Sequence, residues 1–481
     1  MQRIFLTGCA LLAFAAAAQA QNTSTLTQTG NDQTGTIGQR GSNNFATVRQ
    51  LTGTAATANT GNVAQVTQNA TSTLPTTNQA FINQINGADN NEASITQLTG
   101  SGNVATIEQA GGNGFRSGGT ALYTAAGGPT VGNLARISQY GAGNNQTEIK
   151  QNAGTLGRSQ ANYASIGQFG NANLVTAIEQ SNLSVGNFAT IDQGSLTSSA
   201  TGNSAVVLQN ENSQFNTADV EQQGSSKVAE VRQTNAANLN SALLRQTGLD
   251  GFAYIYQVEN ATGNEASIDQ MGTSAGANAT VYQTDQSAYN QATIEQGGMA
   301  DVALINQTTQ ARNGVATIRQ GSGGMTNSAL ITQTYTYDGS GGSTTYGSGS
   351  QATIEQNLTT LSSTGNTAEV TQGFAGGLNP ITGTAEVSDD NQVVIGQEND
   401  VNVTKLLQGG VGNRATATQQ GYSTIKGIDS GGLVNDVAQQ IGNNNVLTVT
   451  QSGTITVSNQ ANIFQTGTFN TSTISQTALL P

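Results

Sequence analysis

The chain of 481 residues contains no histidine and no tryptophan, only four prolines, and a single cysteine, Cys9. Without imidazole and with one thiol close to the N-terminus, histidine general bases, disulfide frameworks and the usual zinc ligand sets are excluded. Charge is scarce as well: Asp, Glu, Lys and Arg make up 9% of the residues and hydrophobic ones 35%. That is too little apolar surface for a series of ordinary globular cores, and too little charge and proline for a disordered chain. What fills the gap is Gly, of which there are 60, with Asn, Gln, Thr and Ser. Uncharged polar chains of this kind favour β-stacking, because side-chain amides pair with copies of themselves. The formal net charge of −13 argues against nucleic acid and anionic lipid as partners. Its carboxylates are spread thinly, as expected of groups that serve solubility.

Long apolar runs are absent beyond the first twenty residues, so no later segment reads as a membrane helix. Arg3, the apolar stretch Ile4 to Ala18 and the small-x-small triplet Ala18-Gln19-Ala20 have the form of a secretory signal peptide, 1–20, cleaved after Ala20. Leu6-Thr7-Gly8-Cys9 has the outline of a lipid-attachment box, but most of the apolar run follows the cysteine, which argues against lipidation. The exported chain would then contain no cysteine, and losing Arg3 takes its charge from −13 to −14.

From there to the C-terminus one seven-residue phrase recurs, Asn-x-Ala-x-Ile/Val-x-Gln. Clear copies are Asn44 to Gln50, Asn103 to Gln109, Asn187 to Gln193, Asn264 to Gln270 and Asn290 to Gln296. With degenerate versions the phrases number about thirty. Their terminal glutamines commonly lie eleven to thirteen residues apart, as Gln28, Gln39 and Gln50 do, which leaves connectors of turn length rich in Gly and Asn. Fixed residues at the first, third, fifth and seventh places give a period of two, which is that of a strand. One face carries Asn, Ala, Ile or Val and Gln; the other varies among Thr, Ser, Glu, Asp and Arg. The regular face is expected to point inward.

One phrase cannot fold alone. Burying its Ile gains roughly 2 kcal/mol, whereas fixing seven backbone residues costs on the order of 1–2 kcal/mol each. Stacking removes the deficit: each strand bonds to those above and below, Ala and Ile rows form a thin core, and Asn and Gln rows form amide ladders. The sequence therefore predicts an all-β fold, a β-solenoid of strand-turn-strand units in about fifteen coils, with end coils that offer unpaired backbone to another molecule.

The stretch Gln408-Gly409-Gly410-Val411-Gly412-Asn413-Arg414-Ala415-Thr416-Ala417-Thr418-Gln419 resembles the curlin repeat, Gln-x-Gly-x-Gly-Asn-x-Ala-x-x-x-Gln. Gln39 to Gln50 fits everywhere but at the second glycine; looser variants carry Asp301 in the Asn place and Ser472 in the Ala place. The resemblance to the curlin family spans residues 21–481. It implies a secreted structural subunit of extracellular curli-like amyloid fibres in the biofilm matrix of a Gram-negative bacterium, cross-β on polymerisation. Its partners would be copies of itself, a curli-type nucleator, an outer-membrane secretion pore and periplasmic accessory factors. Carried over by position, the stacking residues are Asn44, Ala46, Val48 and Gln50; Asn103, Ala105, Ile107 and Gln109; and Asn187, Ala189, Ile191 and Gln193. Further along they are Asn264, Ala266, Ile268 and Gln270; Asn290, Ala292, Ile294 and Gln296; Asn413, Ala415 and Gln419; and Asn470, Ile474 and Gln476. Residues 110–132, 334–349, 373–390 and 421–444 depart from the pattern and are expected to be loop insertions.

Other chemistry finds little support. Glu108, Glu295 and Glu355 precede Gln on separate phrases and are expected to face water, not to converge as a hydrolytic pair. No Gly-Gly-x-Gly-x-Asp period of a calcium β-roll recurs, and Gly339 to Gly342 lacks the Lys of a phosphate loop. The expectation is of no enzyme, cofactor or metal; a monomeric β-solenoid adhesin or other surface-binding protein is the alternative to a fibre subunit.

Overall fold

The structure is a computed structural model describing residues 22–29, 33–41, 43–51, 62–69, 77–85, 91–98, 102–110, 133–143, 145–152, 161–173, 176–194, 200–272, 274–322, 324–334, 349–358, 363–373, 388–399, 401–421, 423–428, 434–435, 437–452 and 459–477. The leader 1–20 and most of the expected insertions 110–132, 334–349 and 373–390 lie outside the described residues. The chain forms two compact units, Met1–Ala205 and Val206–Pro481.

In the first unit successive phrases go to alternate columns of parallel strands. One column stacks Thr23–Thr29, Phe45–Leu51, Gln79–Ile85, Val104–Ala110, Gln146–Asn152 and Thr176–Glu179. The other stacks Thr34–Arg40, Val63–Asn69, Glu92–Leu98, Leu134–Gly143, Tyr163–Asn171 and Phe188–Gln193. The second unit repeats the scheme. One column runs from Thr217–Gln222 through Ser241–Gln246, Glu265–Gln270, Gln291–Gln296, Val315–Gln320 and Gln351–Gln356 to Thr471–Thr477. Its counterpart runs from Val228–Arg232 through Phe252–Gln257, Asn278–Gln283, Val302–Thr308 and Ser328–Thr334 to Asn459–Thr468.

Register follows phrase position: Ala80 lies on Ala105, Ile82 on Ile107 and Gln84 on Gln109. A slip of one residue would turn every Ala, Ile and Gln outward, so the buried face fixes the register. The core of each unit is those rows; Ala105, Ile107, Ala189, Ile191, Ile268 and Ile294 are fully buried. Small beside large keeps the two inner faces close. Where the pattern breaks, volume is exchanged between neighbouring layers: Ala417 takes an Ile place between Ile395 and Val449, while Val393 and Leu447 occupy the Ala places on either side of Ala415.

Residues 421–444 include one layer made of two pieces. Thr424 and Ile425 of strand Ser423–Ile428 pair with Val403 and Thr404, and Ala438–Ile441 of strand Ala438–Asn443 pair with Leu406–Gly409. Both pieces then pair with Asn459–Thr468. Between them Gly427 and Ile428 pair antiparallel with Asn435 and Val434. Ladder bonding continues on either side because each half-strand retains its own register.

Connectors in the second unit stack as well. Gln214, Asn238, Thr262, Ala288 and Arg312 form parallel bridges from layer to layer. Each such arc needs residues in the left-handed region: Asn235, Ala236 and Leu239 in one layer, Glu259, Asn260 and Gly263 in the next. Leu239 has φ 56° where the following layer has Gly263, and it is 60% exposed. Leu239→Gly is therefore expected to raise stability by about 0.5–1 kcal/mol, since relief of the Cβ clash outweighs the entropy of the freed backbone. Guanidinium midpoints of the two proteins check this; a lower midpoint for the variant would mean that the leucine packs usefully.

Candidate self-association surface

Glutamine side chains run through the interior of each unit as directional chains of hydrogen bonds. In the first unit Gln28 Nε2 donates to Gln50 Oε1 (2.7 Å), Gln50 to Gln84 (2.8 Å), Gln84 to Gln109 (2.8 Å), Gln109 to Gln151 (2.9 Å) and Gln151 to Gln180 (2.8 Å). The facing column does the same from Gln39 through Gln68, Gln97, Gln139 and Gln168 to Gln193. In the second unit one ladder runs from Gln209 through Gln233, Gln257 and Gln283 to Gln465, and the other from Gln222 through Gln246, Gln270 and Gln296 to Gln476. The donor is always the earlier residue. Gln168 also donates to the Thr176 hydroxyl (2.8 Å), whereas most of the other amide nitrogens donate to carbonyls of the opposite column, Gln50 to those of Thr34 (3.1 Å) and Asn62 (3.2 Å) for instance. Only an N–H can make those bonds, so they orient the amide and give the whole ladder its polarity.

Asparagine at the first place does a second job. Its Oδ1 accepts the backbone N–H of the next layer: Asn264 N donates to Asn240 Oδ1 (2.9 Å) and Asn290 N to Asn264 Oδ1 (2.9 Å). Its Nδ2 donates to a carbonyl of the next layer's connector, Asn240 to Ala261 (2.9 Å), Asn264 to Ser287 (3.1 Å) and Asn290 to Ala311 (2.8 Å). Connector residues beneath these amides are small and buried, as Ala237, Ala261 and Ser287 are. Thus one side chain ties strand to strand and arc to arc.

Most of the sequence-derived stacking residues come together in these rows. The groups from Asn44, Asn103, Asn187, Asn264, Asn290 and Asn413 to Gln50, Gln109, Gln193, Gln270, Gln296 and Gln419 are all buried, as are Ala46, Val48, Ala266, Ala292 and Ala415. Asn470, Ile474 and Gln476 differ: they belong to the last described layer and are half-buried. Glu295 and Glu355 lie on separate layers, each ion-paired with Arg319 of the layer between (3.2 and 3.1 Å). Outward aromatics also stack along the axis, Tyr163 on Phe188 at 4.6 Å and Tyr256 on Tyr282 at 5.1 Å. Burial, and then Glu230, push the Tyr256 phenol above its ordinary range.

Two buried charges stand in the Asn place. Asp301 is noticeable in the sequence; Lys227 escapes notice there, although aligning Lys227 to Gln233 with the phrase exposes it. Lys227 Nζ donates to the Gly248 carbonyl, which is the connector bond an asparagine amide would make. Burial lowers its pKa to about 8, opposed by Asp250. Asp301 Oδ1 accepts the Asn327 N–H (3.0 Å), while among the described residues its Oδ2 has only the Asn327 side chain and the Gly298 N–H near it, neither in good hydrogen-bond geometry. Burial raises its pKa to about 7 against the bonds from Asn327 and Gly298. Among the described residues no cluster of three potential metal ligands occurs.

Among the described residues nothing covers the first layer of the first unit or the last layer of the second. The first layer of the first unit, Thr23–Thr29 with Thr34–Arg40, and the last of the second, Asn459–Thr468 with Thr471–Thr477, carry one charged residue between them, Arg40. Natural edge strands are usually blunted by charge, proline or a bulge; these have none of that apart from Arg40 at a strand end. Among the described residues no donor reaches Gln28 Oε1 or Gln39 Oε1 in the first layer of the first unit, while Gln465 and Gln476 present their amide nitrogens in the last layer of the second.

These features define an all-β repeat protein in which each unit is a parallel, two-sheet β-solenoid, a repetitive scaffold held by amide ladders. No protein-family model matches the chain, and no curated protein matches it.

Proposed function

We propose that the protein is a secreted structural subunit that stacks end on end into extracellular cross-β fibres, as the resemblance of its phrase to the curlin repeat implies. The observation that carries this reading is the polarity of the glutamine ladders, which leaves acceptors on the first layer of the first unit and donors on the last layer of the second, in strands whose one charged residue is Arg40. Continuing the register of neighbouring layers, Gln476 of one copy would donate to Gln39 of the next, and Gln465 to Gln28. Each added copy restores the backbone and amide bonds that an end layer lacks, about 0.5–1.5 kcal/mol for each bond. Nothing in the pattern calls for catalysis, a cofactor or a nucleic acid. Residues 1–20 serve as the export signal; a secretion pore, periplasmic accessory factors and a nucleator would handle the chain on its way to the cell surface and biofilm matrix.

Aligned fibres of the purified chain lacking residues 1–20 test this reading. Diffraction is expected to give a reflection near 4.8 Å along the axis and one near 10 Å across it. A chain that stays a folded monomer at high concentration would instead be the surface-binding solenoid.

A further inference from the structure

The connector side of the second unit contains two buried charges where the fold asks for an amide. In the layers between Lys227 and Asp301 the Asn place holds Gly251 and Ala277, so neither charge has a polar side chain beside it on the side facing the other; on the far side Asp301 is followed by Asn327. A Cβ at Gly298 would meet both Asp301 Oδ2 and the Gly324 carbonyl oxygen, so these two acceptors border one small space. In ordinary layers that direction holds an asparagine Nδ2–H. The Gly324 carbonyl already accepts the Met299 N–H (3.1 Å), and the Asp301 carboxyl is fully buried. Two oxygens facing each other, offset only by the poorly aligned Asn327 amide and Gly298 N–H, are the defect.

Nothing packed around Asp301 supplies a countercharge. Strands Val302–Thr308 and Ser328–Thr334 and the turns 274–277 and 324–327 contain no ionisable side chain, and Asn278–Gln283 contributes only Tyr282, which is exposed. From the facing column come Glu295 and Arg319, outward and paired with each other. Around Lys227 the strands bring Glu230 with Arg232, Tyr254, Tyr256, Asp219, and Glu221 with Arg245, all at outward positions, and the adjoining turn brings exposed Asp250.

We propose that the second unit is proton-linked at these two places: Asp301 takes up a proton and donates it to the Gly324 carbonyl, Lys227 gives one up, and the unit is least stable when both are charged. An acid whose pKa rises on folding, here from 3.8 to about 7, contributes stability below its unfolded pKa and loses it as pH rises through the folded one. A lysine lowered from 10.5 to about 8 contributes stability above its unfolded pKa and loses it as pH falls through the folded one. The minimum therefore falls between about 7 and 8. Protonation at Asp301 rebuilds the missing connector bond, and deprotonation at Lys227 removes a buried charge while keeping a donor.

Guanidinium midpoints of the full chain at pH 5, 7.5 and 10, followed by circular dichroism, test this whether the protein is monomeric or assembled; failure to form fibres would leave it untouched. The wild type is expected to be weakest at pH 7.5. Asp301→Asn, which installs the row's own residue, should raise the folding constant at pH 7.5 by about tenfold or more and flatten the acid limb. Lys227→Asn should flatten the alkaline limb. Asp285→Asn makes the same charge change at an exposed turn position and should leave both limbs as they were. An acid limb as steep in Asp301→Asn as in Asp285→Asn, or a fall in the pH 7.5 midpoint of Asp301→Asn, would overturn the proposal.

Discussion

Gln270→Ala is expected to destabilise the second unit by about 3–5 kcal/mol, more than truncation of the large apolar side chains at its surface. Gln270 Nε2 donates to the carbonyls of Phe252 (3.0 Å) and Ala277 (3.2 Å) and to Gln296 Oε1 (2.9 Å), while its Oε1 accepts from Gln246 (2.7 Å). Truncation leaves Gln296 Oε1 and the Ala277 carbonyl without that donor and Gln246 without its acceptor, in an interior that water does not reach. Each orphaned group costs about 1–3 kcal/mol, and the cavity adds to it. Gln476→Ala is the matching control. That residue accepts from Gln451 (2.7 Å), donates to the Gln460 carbonyl (3.1 Å) and has no further layer to serve among the described residues, so its loss should cost about 1 kcal/mol. Denaturant midpoints of the two variants measure the difference. Equal, small effects would mean that the glutamine rows follow the stack and do not hold it.

The strand direction, the inward face and the register were legible in the sequence because all three follow from one period-two phrase. Ala, Ile and Gln at fixed places can be buried in only one way when layers repeat. Other parts depend on residues that meet only after stacking. That Asn240 joins a strand N–H above it to a connector carbonyl is a property of the arc, which the phrase does not contain. The exchange of Ala417 for bulk at Val393 and Leu447 is invisible until three phrases, widely separated in the chain, lie one on another. The layer shared by Ser423–Ile428 and Ala438–Asn443 is harder still, since each half is too short to display the period by itself.

If the subunit grows into fibres by its ends, Ile474→Asp should stop growth at one end while leaving the monomer folded. Ile474 is half-buried in the last described layer, paired with Val449 on one side only. A carboxylate there can reach water, so the isolated chain loses about 1 kcal/mol of packing. Stacking the next copy's Ile37 on it, in the register that joins Gln39 to Gln476, would close the layer over an unpaired charge. That penalty is about 3–5 kcal/mol, which raises the concentration needed for growth by at least a hundredfold or so. The variant's own first layer, with Leu26 and Ile37, is unchanged and still fits a wild-type fibre's last layer. Traces of Ile474→Asp added to wild-type seeds should therefore poison one end and spare the other, as single-filament imaging would record. Growth at the wild-type rate from both ends would show that copies do not meet through these layers, and with it the end-on-end reading would fall.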